Sequence, residues 1–241
     1  MIGGRRVVVI VQARVGSTRL PAKVLMPLAG RPMVEHVLRR AAAITGVDEV
    51  VAAIPDRADD DLLAEAVMAT GMRLVRGSAD DVLARYAAAA ASADAEIVVR
   101  VTADCPFLSR VVSGGVLAGY VKCDYVSNTL ERTYPRGLDT EAFSREALDT
   151  AQREARDRVD REHVTPFIYR HPNRFIVRQV LADVDRSALR WTVDTPEDME
   201  FARAVYDALG STFEMGEVLE LLARRPELGD LNRDSVQKQL H

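Results

Sequence analysis

The chain has 241 residues, 32 of them basic and 36 acidic, which gives a formal net charge of −4, and 48% of its residues are hydrophobic. A chain of this length buries about 70–75% of its unfolded surface, so we predict one domain over 1–241 that needs no structural metal. The balanced charge argues against a nucleic-acid-binding surface, which requires a concentrated basic excess. Two cysteines and no membrane-length apolar run favour a cytoplasmic protein without membrane contact.

Short β-branched runs alternate with alanine-rich amphipathic segments in the first 120 residues. This pattern is typical of strands joined by crossover helices in a mostly parallel α/β sheet. Residues 7–11, Val-Val-Val-Ile-Val, suit a central strand covered on both faces. In chain order we predict a strand at 6–11, a helix at 33–44, a strand at 49–54, a helix at 59–69, a strand at 73–75, a helix at 79–91 and a strand at 96–101.

The pattern after residue 120 is less regular. We predict strands at 125–128, 140–143, 175–180 and 189–193, and helices at 146–155, 161–169, 196–209 and 214–223. Two helix starts carry capping signatures, in which a hydroxyl precedes an acidic residue by three positions: Ser78 with Asp81, and Thr195 with Asp198. No linker or internal repeat divides the chain.

The most informative segment is the basic loop at 12–23, which follows the first predicted strand and therefore leaves the sheet at its carboxyl edge. Open α/β sheets bind ligands at that edge. The loop contains three cations and three small or hydroxyl residues: Arg14, Arg19, Lys23, Gly16, Ser17 and Thr18. This composition suits a polyanion such as a nucleoside triphosphate, although neither the Walker pattern nor the dinucleotide glycine pattern is present. A solvated basic loop is the alternative interpretation.

Two acidic residues follow apolar runs. Asp104 comes after the strand predicted at 96–101, and Asp194 follows the one predicted at 189–193, ninety positions later. Parallel strands would bring both carboxylates to one edge, where two carboxylates, phosphate oxygens and water commonly hold Mg²⁺. The alternatives are a helix cap for Asp194 and a turn before proline for Asp104. The acidic run at 59–61 opens a helix, where compensation of the helix dipole is the favoured interpretation.

Several ordered motifs occur together in this chain. They are residues 12–25, Arg76-Gly77-Ser78-x-Asp80-Asp81-Val82-Leu83-x-Arg85-Tyr86, Arg100-x-Thr102-x-Asp104-Cys105-Pro106, Gly137-Leu138-Asp139-x-Glu141-x-Phe143, residues 162–166 and residues 191–198. From residue 6 to about residue 205 the chain thereby resembles the spore-coat-polysaccharide type of cytidylyltransferase, a group similar to the CMP-sugar synthetases for 3-deoxy-manno-octulosonate and acylneuraminate. The resemblance implies a Rossmann-like nucleotide-diphospho-sugar transferase fold of the GT-A-like type, with a mostly parallel central sheet flanked by helices.

The same resemblance implies roles for individual residues. Arg14 and Lys23 match triphosphate-binding positions, and Asp104 and Asp194 match Mg²⁺ ligands; these four form the predicted catalytic set. The residues predicted to bind CTP are Gln12, Ala13, Arg14, Gly16, Ser17, Arg19, Lys23, Ser78, Asp80 and Thr102, with Ala13, Ser78 and Asp80 near the base and ribose. Residues 1–120 then form a CTP-binding half, 121–210 a half for acceptor binding and dimerisation, and 211–241 a C-terminal helix and tail.

The leading functional hypothesis is a Mg²⁺-dependent transferase that moves CMP from CTP to an acidic sugar or related acceptor and releases pyrophosphate. One alternative is a GT-A-type glycosyltransferase that consumes a nucleotide-sugar, and the absence of a convincing Asp-x-Asp motif after a strand counts against it. Another is a catalytically silent nucleotide-binding domain. The presence of all four residues of the predicted catalytic set counts against a silent domain.

Several residues remain open to two interpretations. Cys105 is either a nucleophile or, as we favour, a small buried side chain. His163 is a base, an acceptor contact, or a packing or interface residue, and Trp191 is expected in the core. Three arginines either clamp an acidic acceptor or are solvated: Arg132, Arg136 and Arg190. We also predict a homodimer, because four aromatic residues of the second half have no obvious place in a parallel-sheet core: Tyr134, Phe143, Phe167 and Tyr169.

Overall fold

The computed structural model describes residues 2–235. Its strands are β1 (Val7–Gln12), β2 (Pro27–Leu28), β3 (Arg31–Pro32), β4 (Glu49–Pro55), β5 (Arg73–Gly77), β6 (Ile97–Thr102), β7 (Tyr125–Ser127), β8 (Glu141–Ser144) and β9 (Val177–Gln179). Its α-helices are α1 (Met33–Ala42), α2 (Asp61–Met68), α3 (Val82–Ser92), α4 (Arg110–Ala118), α5 (Arg145–Glu154), α6 (Arg158–His163), α7 (Pro166–Tyr169), α8 (Pro196–Leu209), α9 (Met215–Arg224) and α10 (Glu227–Asp230). The predicted C-terminal tail extends beyond this range, and 236–241 lie outside the described residues.

Seven strands form one sheet in the order β5-β4-β1-β6-β8-β7-β9. β1 pairs in parallel with both β4 and β6, whereas β8 is antiparallel to its two neighbours β6 and β7. Strands from before and after residue 120 therefore share one sheet, and the predicted mostly parallel α/β architecture is confirmed. Strands β2 and β3 form a separate antiparallel pair.

The sheet is covered by helices on both faces. Val7, Val9 and Val11 of β1 face one core with residues of α1, α2, α4, α8 and α9. Val8 and Ile10 point to the opposite face and pack with residues of α3, α5 and α7. All five side chains are fully buried, as the uninterrupted apolar run predicts for a central strand. In residues 2–235, no helix is long and apolar enough to span a bilayer.

Helix α3 begins later than its capping signature predicts. The helix starts at Val82 rather than at residue 79, because the carboxylate of Asp81 accepts a hydrogen bond from Ala84 N at 2.9 Å and so acts as the N-cap. Ser78 Oγ accepts from the backbone N–H of Asp81 at 3.1 Å one turn earlier. The second signature is confirmed, since Thr195 and Asp198 form a reciprocal capping box at the start of α8.

The helix predicted at 161–169 is broken into α6 and α7 by a tight turn at Val164. Val164 has φ 74° and ψ −54°, and Thr165 N donates to His163 O at 2.9 Å. This is a γ-turn with positive φ, which is rare and strained, above all for a β-branched residue. Val164 is fully buried, and its packing holds the turn in place. Helices α4 and α10 and strands β2 and β3 have no counterpart among the predicted elements.

The strand predicted at 189–193 does not form. The segment makes one isolated bridge to another loop, between Arg190 and Arg136, with Trp191 N donating to Arg136 O at 2.7 Å. Its backbone is fixed instead by Asp104, whose carbonyl accepts hydrogen bonds from Val193 N at 2.8 Å and from Thr192 Oγ1 at 3.1 Å. The segment therefore reaches the edge of the sheet as an extended loop rather than as a strand of the sheet.

Candidate active site

Two adjoining cavities open at the carboxyl ends of β1 and β6, where both strands give way to loops. The first cavity, of about 280 Å³, is lined by the basic loop together with Thr102, Asp104 and Asp194. All residues of the basic loop that are predicted to bind CTP line this first cavity. Ser78 and Asp80 do not line either cavity, and their assignment to the base and ribose stays a prediction.

Lys23 joins the two predicted acidic residues. Its Nζ donates to Asp194 Oδ1 at 2.7 Å, to Val193 O at 2.7 Å and to Asp104 Oδ2 at 3.3 Å. Burial by itself would lower the pKa of Lys23, but the attraction of the two carboxylates raises the pKa above its ordinary value. The ammonium therefore stays charged at neutral pH and holds together two acids that lie ninety positions apart.

The carboxylates of Asp104 and Asp194 converge on a single cation position, because both bond to the same ammonium. Mg²⁺ prefers oxygen ligands and commonly takes one or two carboxylates with phosphate oxygens and water. Across residues 2–235, no group of three or more His, Cys, Asp or Glu side chains is arranged to hold a metal. The donor pair therefore fits a Mg²⁺ ion that is shared with a bound phosphate.

The two acids differ in their surroundings. Asp194 Oδ2 also contacts Arg19 Nη2 at 3.1 Å and Arg190 Nη2 at 3.0 Å. The side chain of Asp104 is more exposed, at 30% against 13% for Asp194. Burial would raise the pKa of Asp104, but Lys23 and a hydrogen bond from Thr102 together lower the pKa below its ordinary value. Asp104 is therefore an ionised and accessible carboxylate.

The basic loop is anchored from outside the predicted site. Val15 N donates to Asp60 Oδ1 at 2.8 Å, and Asp60 is buried. Ala22, with φ 55°, turns the chain before Lys23, and Ala22 N donates to Val15 O at 3.2 Å. One acid of the run at 59–61 thus holds the loop, a role that the helix-dipole interpretation did not foresee.

Arg85 is a cavity residue outside the predicted set of site residues. It lines the first cavity and is 2% exposed. Its Nη1 donates to Ser78 O at 2.6 Å, which connects the cavity wall to the loop that carries Ser78 and Asp80. Arg85 belongs to the motif at 76–86, and this position in the sequence could have indicated a role in the site.

The second cavity, of about 950 Å³, shares Gln12, Thr102, Asp104 and His163 with the first. A molecule in one cavity can therefore meet a molecule in the other beside Asp104. Gln12 Oε1 is buried and has no hydrogen-bond partner among the described residues. Gln12 itself lines both cavities and so forms part of the shared wall.

A buried polar network forms one wall of the second cavity. Glu141 bonds to Arg100, to Tyr125 OH at 2.6 Å and to Thr165 Oγ1 at 2.6 Å. Thr165 directly follows the strained turn at Val164. The turn thus fixes two cavity residues, His163 on one side and Thr165 on the other, which is the kind of place where proteins retain backbone strain.

The residues left open by the sequence have definite positions. His163 lines both cavities, and burial lowers its pKa. Cys105 is 3% exposed, and burial followed by the charge of Asp104 raises the pKa of its thiol well above the ordinary value. A protonated, enclosed thiol is a poor nucleophile. Trp191 is 1% exposed and packs beside Phe107 in the core, as predicted.

The aromatic residues that motivated the homodimer have a place within the chain itself. Phe143 and Phe167 are buried in the core on the face of α3 and α5. Tyr134 and Tyr169 are partly buried and pack against the two cores. The premise that these side chains have no place in the core of the sheet is therefore wrong. The homodimer stays a prediction without that support.

A mostly parallel sheet whose carboxyl edge carries a cationic loop, a pair of carboxylates and two joined cavities defines a nucleotidyltransferase. A family model described as Cytidylyltransferase matches residues 8–221 of the chain. The chain belongs to the cytidylyltransferase family, which the motifs in the sequence predicted.

Individual relatives agree with this assignment. The chain is 31% identical over 229 residues to the spore coat polysaccharide biosynthesis protein SpsF of Bacillus subtilis, covering 90% of this chain and 94% of that protein. It is 32% identical over 195 residues to 3-deoxy-manno-octulosonate cytidylyltransferase of Geobacter metallireducens, covering 72% and 75%. A solved cytidylyltransferase from Leptospira borgpetersenii superposes with a TM-score of 0.89 at 27% identity, covering 98% of this chain and all of that one. The predicted transferase fold is thereby confirmed.

Proposed function

We propose that this cytidylyltransferase is Mg²⁺-dependent and transfers CMP from CTP to an acidic sugar or a related acidic acceptor, with release of pyrophosphate. The observation that carries the proposal is the position of Lys23 between Asp104 and Asp194. This cluster lies in the first cavity, and Asp104 also lines the second. One cavity would hold CTP and the other the acceptor.

In the first cavity, the basic loop would neutralise the triphosphate. Arg14 lines the cavity, and its guanidinium has no ion pair with any described residue, so it is available to a phosphate. Lys23 would move its hydrogen bonds from the carboxylates to phosphate oxygens and offset charge on the leaving pyrophosphate. Asp104 and Asp194 would then hold Mg²⁺, which supplies charge neutralisation at the α-phosphate when bound.

The acidic nature of the acceptor is supported by Arg136 in the second cavity. Arg132 already forms a bidentate pair with Asp139, at 2.5 and 2.9 Å. The guanidinium of Arg136 makes no hydrogen bond or ion pair within the described part of the chain. Burial and then the charge of Arg132 lower its pKa. A carboxylate, phosphate or phosphonate on the acceptor would relieve this repulsion.

The reaction would be an in-line displacement. An acceptor oxygen forms a bond to the α-phosphorus, the bond from that phosphorus to the bridging oxygen breaks, and pyrophosphate leaves with the electron pair. The proton of the acceptor hydroxyl passes to solvent or to a base beside the shared wall. Positioning and electrostatic stabilisation then supply the catalysis, without a covalent enzyme intermediate. The buried thiol of Cys105 agrees with that scheme.

The decisive experiment is an assay of pyrophosphate release with each of the four ribonucleoside triphosphates against a panel of acidic sugars, sugar phosphates and phosphonates. We expect release with CTP and Mg²⁺, and much less with UTP, ATP or GTP. A glycosyltransferase would release no pyrophosphate, and a silent domain would turn over nothing. Equal rates with ATP or GTP would contradict the assignment of CTP as the substrate.

Two substitutions test the predicted metal ligands. Asp104→Asn and Asp194→Asn should fold but lose most of their turnover, because each removes a charged ligand of the ion. Asp59→Asn is the matched control, since Asp59 is exposed and lies outside both cavities. Near-normal rates in both site variants at low Mg²⁺ would contradict the metal role. Asp104 would then be only a turn residue, and Asp194 only a residue beside the start of α8.

The homodimer belongs to the same proposal. We expect a two-fold contact formed by the second half of the chain, around residues 134–143 and 162–169, so that dimerisation shapes the acceptor cavity. A stable contact buries about 1,200–2,000 Å² in total. Light scattering at micromolar concentration measures the molecular mass. A fully active monomer would contradict this part of the proposal.

A further inference from the structure

A third cavity, of about 220 Å³, shares no lining residue with the two cavities of the candidate active site. It lies between α1, the start of α4 and the loop that precedes α9. Four arginines line it, together with one acid and two exposed hydroxyl residues: Arg31, Arg39, Arg40, Arg110, Glu214, Ser211 and Thr212. We call this feature the arginine cavity.

Arg40 is the most buried cation of the arginine cavity, at 8% exposure. Its Nη1 donates to Phe213 O at 2.8 Å and to Leu108 O at 3.3 Å, and its Nε donates to Tyr206 OH at 3.4 Å. All three partners are uncharged. Its Nη2 is buried and has no hydrogen-bond partner among the described residues. The guanidinium also lies 4.2 Å from the centre of the Phe213 ring.

A buried charge without a counter-charge is unfavourable, and proteins normally pair such groups. Within residues 2–235, no carboxylate lies within ion-pair distance of Arg40. The acid that lines the cavity, Glu214, is already paired with Arg110. Arg40 therefore places a positive charge without a counter-charge at the wall of the arginine cavity, where an anion in the cavity would offset it.

The other arginines of the cavity do not cancel this charge. Arg31 and Arg39 share one carboxylate oxygen of Glu35, at 3.3 and 2.8 Å. Arg110 pairs with Glu214 at 2.9 Å. Four guanidinium groups thus face two carboxylates, which leaves two positive charges around one cavity. A phosphate group, which carries close to two negative charges at neutral pH, matches this balance.

We propose that the arginine cavity binds a phosphate dianion, as a second ligand site separate from the candidate active site. The charged guanidinium groups would supply planar, directed N–H donors, which suit phosphate oxygens. The hydroxyls of Ser211 and Thr212 stand at the same wall. The phosphate is either free inorganic phosphate or the phosphate of a small monoester. This inference does not depend on the acceptor or the metal of the proposed function.

The test measures binding of inorganic phosphate and of ribose 5-phosphate to the full chain by titration calorimetry at low salt. An Arg14→Ala/Lys23→Ala/Arg136→Ala protein removes cations from both cavities of the candidate active site, and we expect it to keep one phosphate site. Adding Arg39→Ala and Arg110→Ala to that protein should weaken phosphate binding at least about tenfold, since charge-assisted hydrogen bonds are lost. Both added positions are exposed, so folding should be retained.

Arg153→Ala combined with Arg224→Ala is the matched control, because both arginines are exposed and lie outside all three cavities. Binding unchanged in this control and weakened in the Arg39/Arg110 protein supports the site. Tighter binding of ribose 5-phosphate identifies a monoester as the occupant, and tighter binding of inorganic phosphate identifies the free anion. Loss of all phosphate binding in the Arg14→Ala/Lys23→Ala/Arg136→Ala protein overturns the proposal. Phosphate binding that is unchanged by the loss of Arg39 and Arg110 also overturns it.

Discussion

Asn232 Nδ2 donates to Asp198 Oδ1 at 3.0 Å, although the two residues lie 34 positions apart. The same amide group donates to Arg190 O at 2.9 Å. Asp198 is fully buried and accepts hydrogen bonds from the guanidinium of Arg190, at 2.8 Å, and from the backbone N–H of Asp194, at 2.9 Å. The segment after α10 therefore helps to fix the turn that carries Asp194.

Asn232→Ala should lower both stability and turnover. It removes two hydrogen bonds from a buried amide, one of them to a carboxylate, at a cost of about 1–3 kcal/mol in the free energy of unfolding. If Asp194 is a metal ligand, loss of its supporting network should reduce kcat about tenfold or more. Urea unfolding and steady-state kinetics measure the two effects. Asn173→Ala, at an exposed position, is the control, and equal behaviour of the two variants would contradict the role of Asn232.

Gly137→Ala should be strongly destabilising. Gly137 has φ +106°, and an added Cβ would lie 2.6 Å from Trp191 C and from Thr192 N. Backbone atoms at that distance must shift, so we expect a loss above about 3 kcal/mol, which is exceptional for a single substitution. Gly71→Ala separates the backbone strain from the steric clash, because Gly71 also has positive φ but has no atom within 4 Å of an added Cβ. That control should lose only about 1–2 kcal/mol, and chemical denaturation of both variants decides the matter.

Lys23→Ala should have opposite effects on two ligands. CTP binding should weaken about 10–100-fold, because a charged donor to the triphosphate is lost. Binding of Mn²⁺ without CTP should strengthen, because the ammonium no longer neutralises Asp104 and Asp194. Calorimetry for CTP and electron paramagnetic resonance for Mn²⁺ provide the measurements. Lys122→Ala is the control, and a fall in Mn²⁺ affinity in Lys23→Ala would count against a shared cation position.

Stability should depend on pH near neutrality through two histidines. Burial lowers the pKa of both His36 and His163 below the ordinary value of 6.5. Below about pH 6.5 the unfolded chain binds protons that the native chain does not. The free energy of unfolding therefore falls as the pH decreases from that point, by up to about 1.4 kcal/mol per pH unit for each histidine.

The His36→Gln/His163→Gln protein should show a flatter profile between about pH 5.5 and 7.5. Glutamine at position 36 keeps a donor for Leu28 O, which His36 Nε2 contacts at 2.8 Å. His171→Gln serves as the control. Urea unfolding at several pH values gives the slope, and an unchanged slope in the double variant would mean that other groups set the pH dependence.

The sequence by itself determined the parts of this protein that depend on neighbouring residues. The run of apolar residues at 7–11 predicts a doubly covered strand, and the basic loop must leave that strand at the carboxyl edge of the sheet. Ordered motifs placed the chain in its family. The capping box of Thr195 and Asp198 is likewise local, with its members three positions apart.

Only the tertiary structure decided how distant segments meet. Lys23 and Asp194 bond across 171 positions, and no periodicity in the sequence encodes such a contact. The strand predicted at 189–193 was wrong because backbone groups of Arg136 and Asp104 hold this segment outside the sheet. Asp60 and Asn232 are further examples. Asp60 bonds to Val15 across 45 positions, and Asn232 bonds to Asp198 across 34 positions. Local patterns set which elements form, whereas hydrogen bonds between distant loops set the geometry of the site.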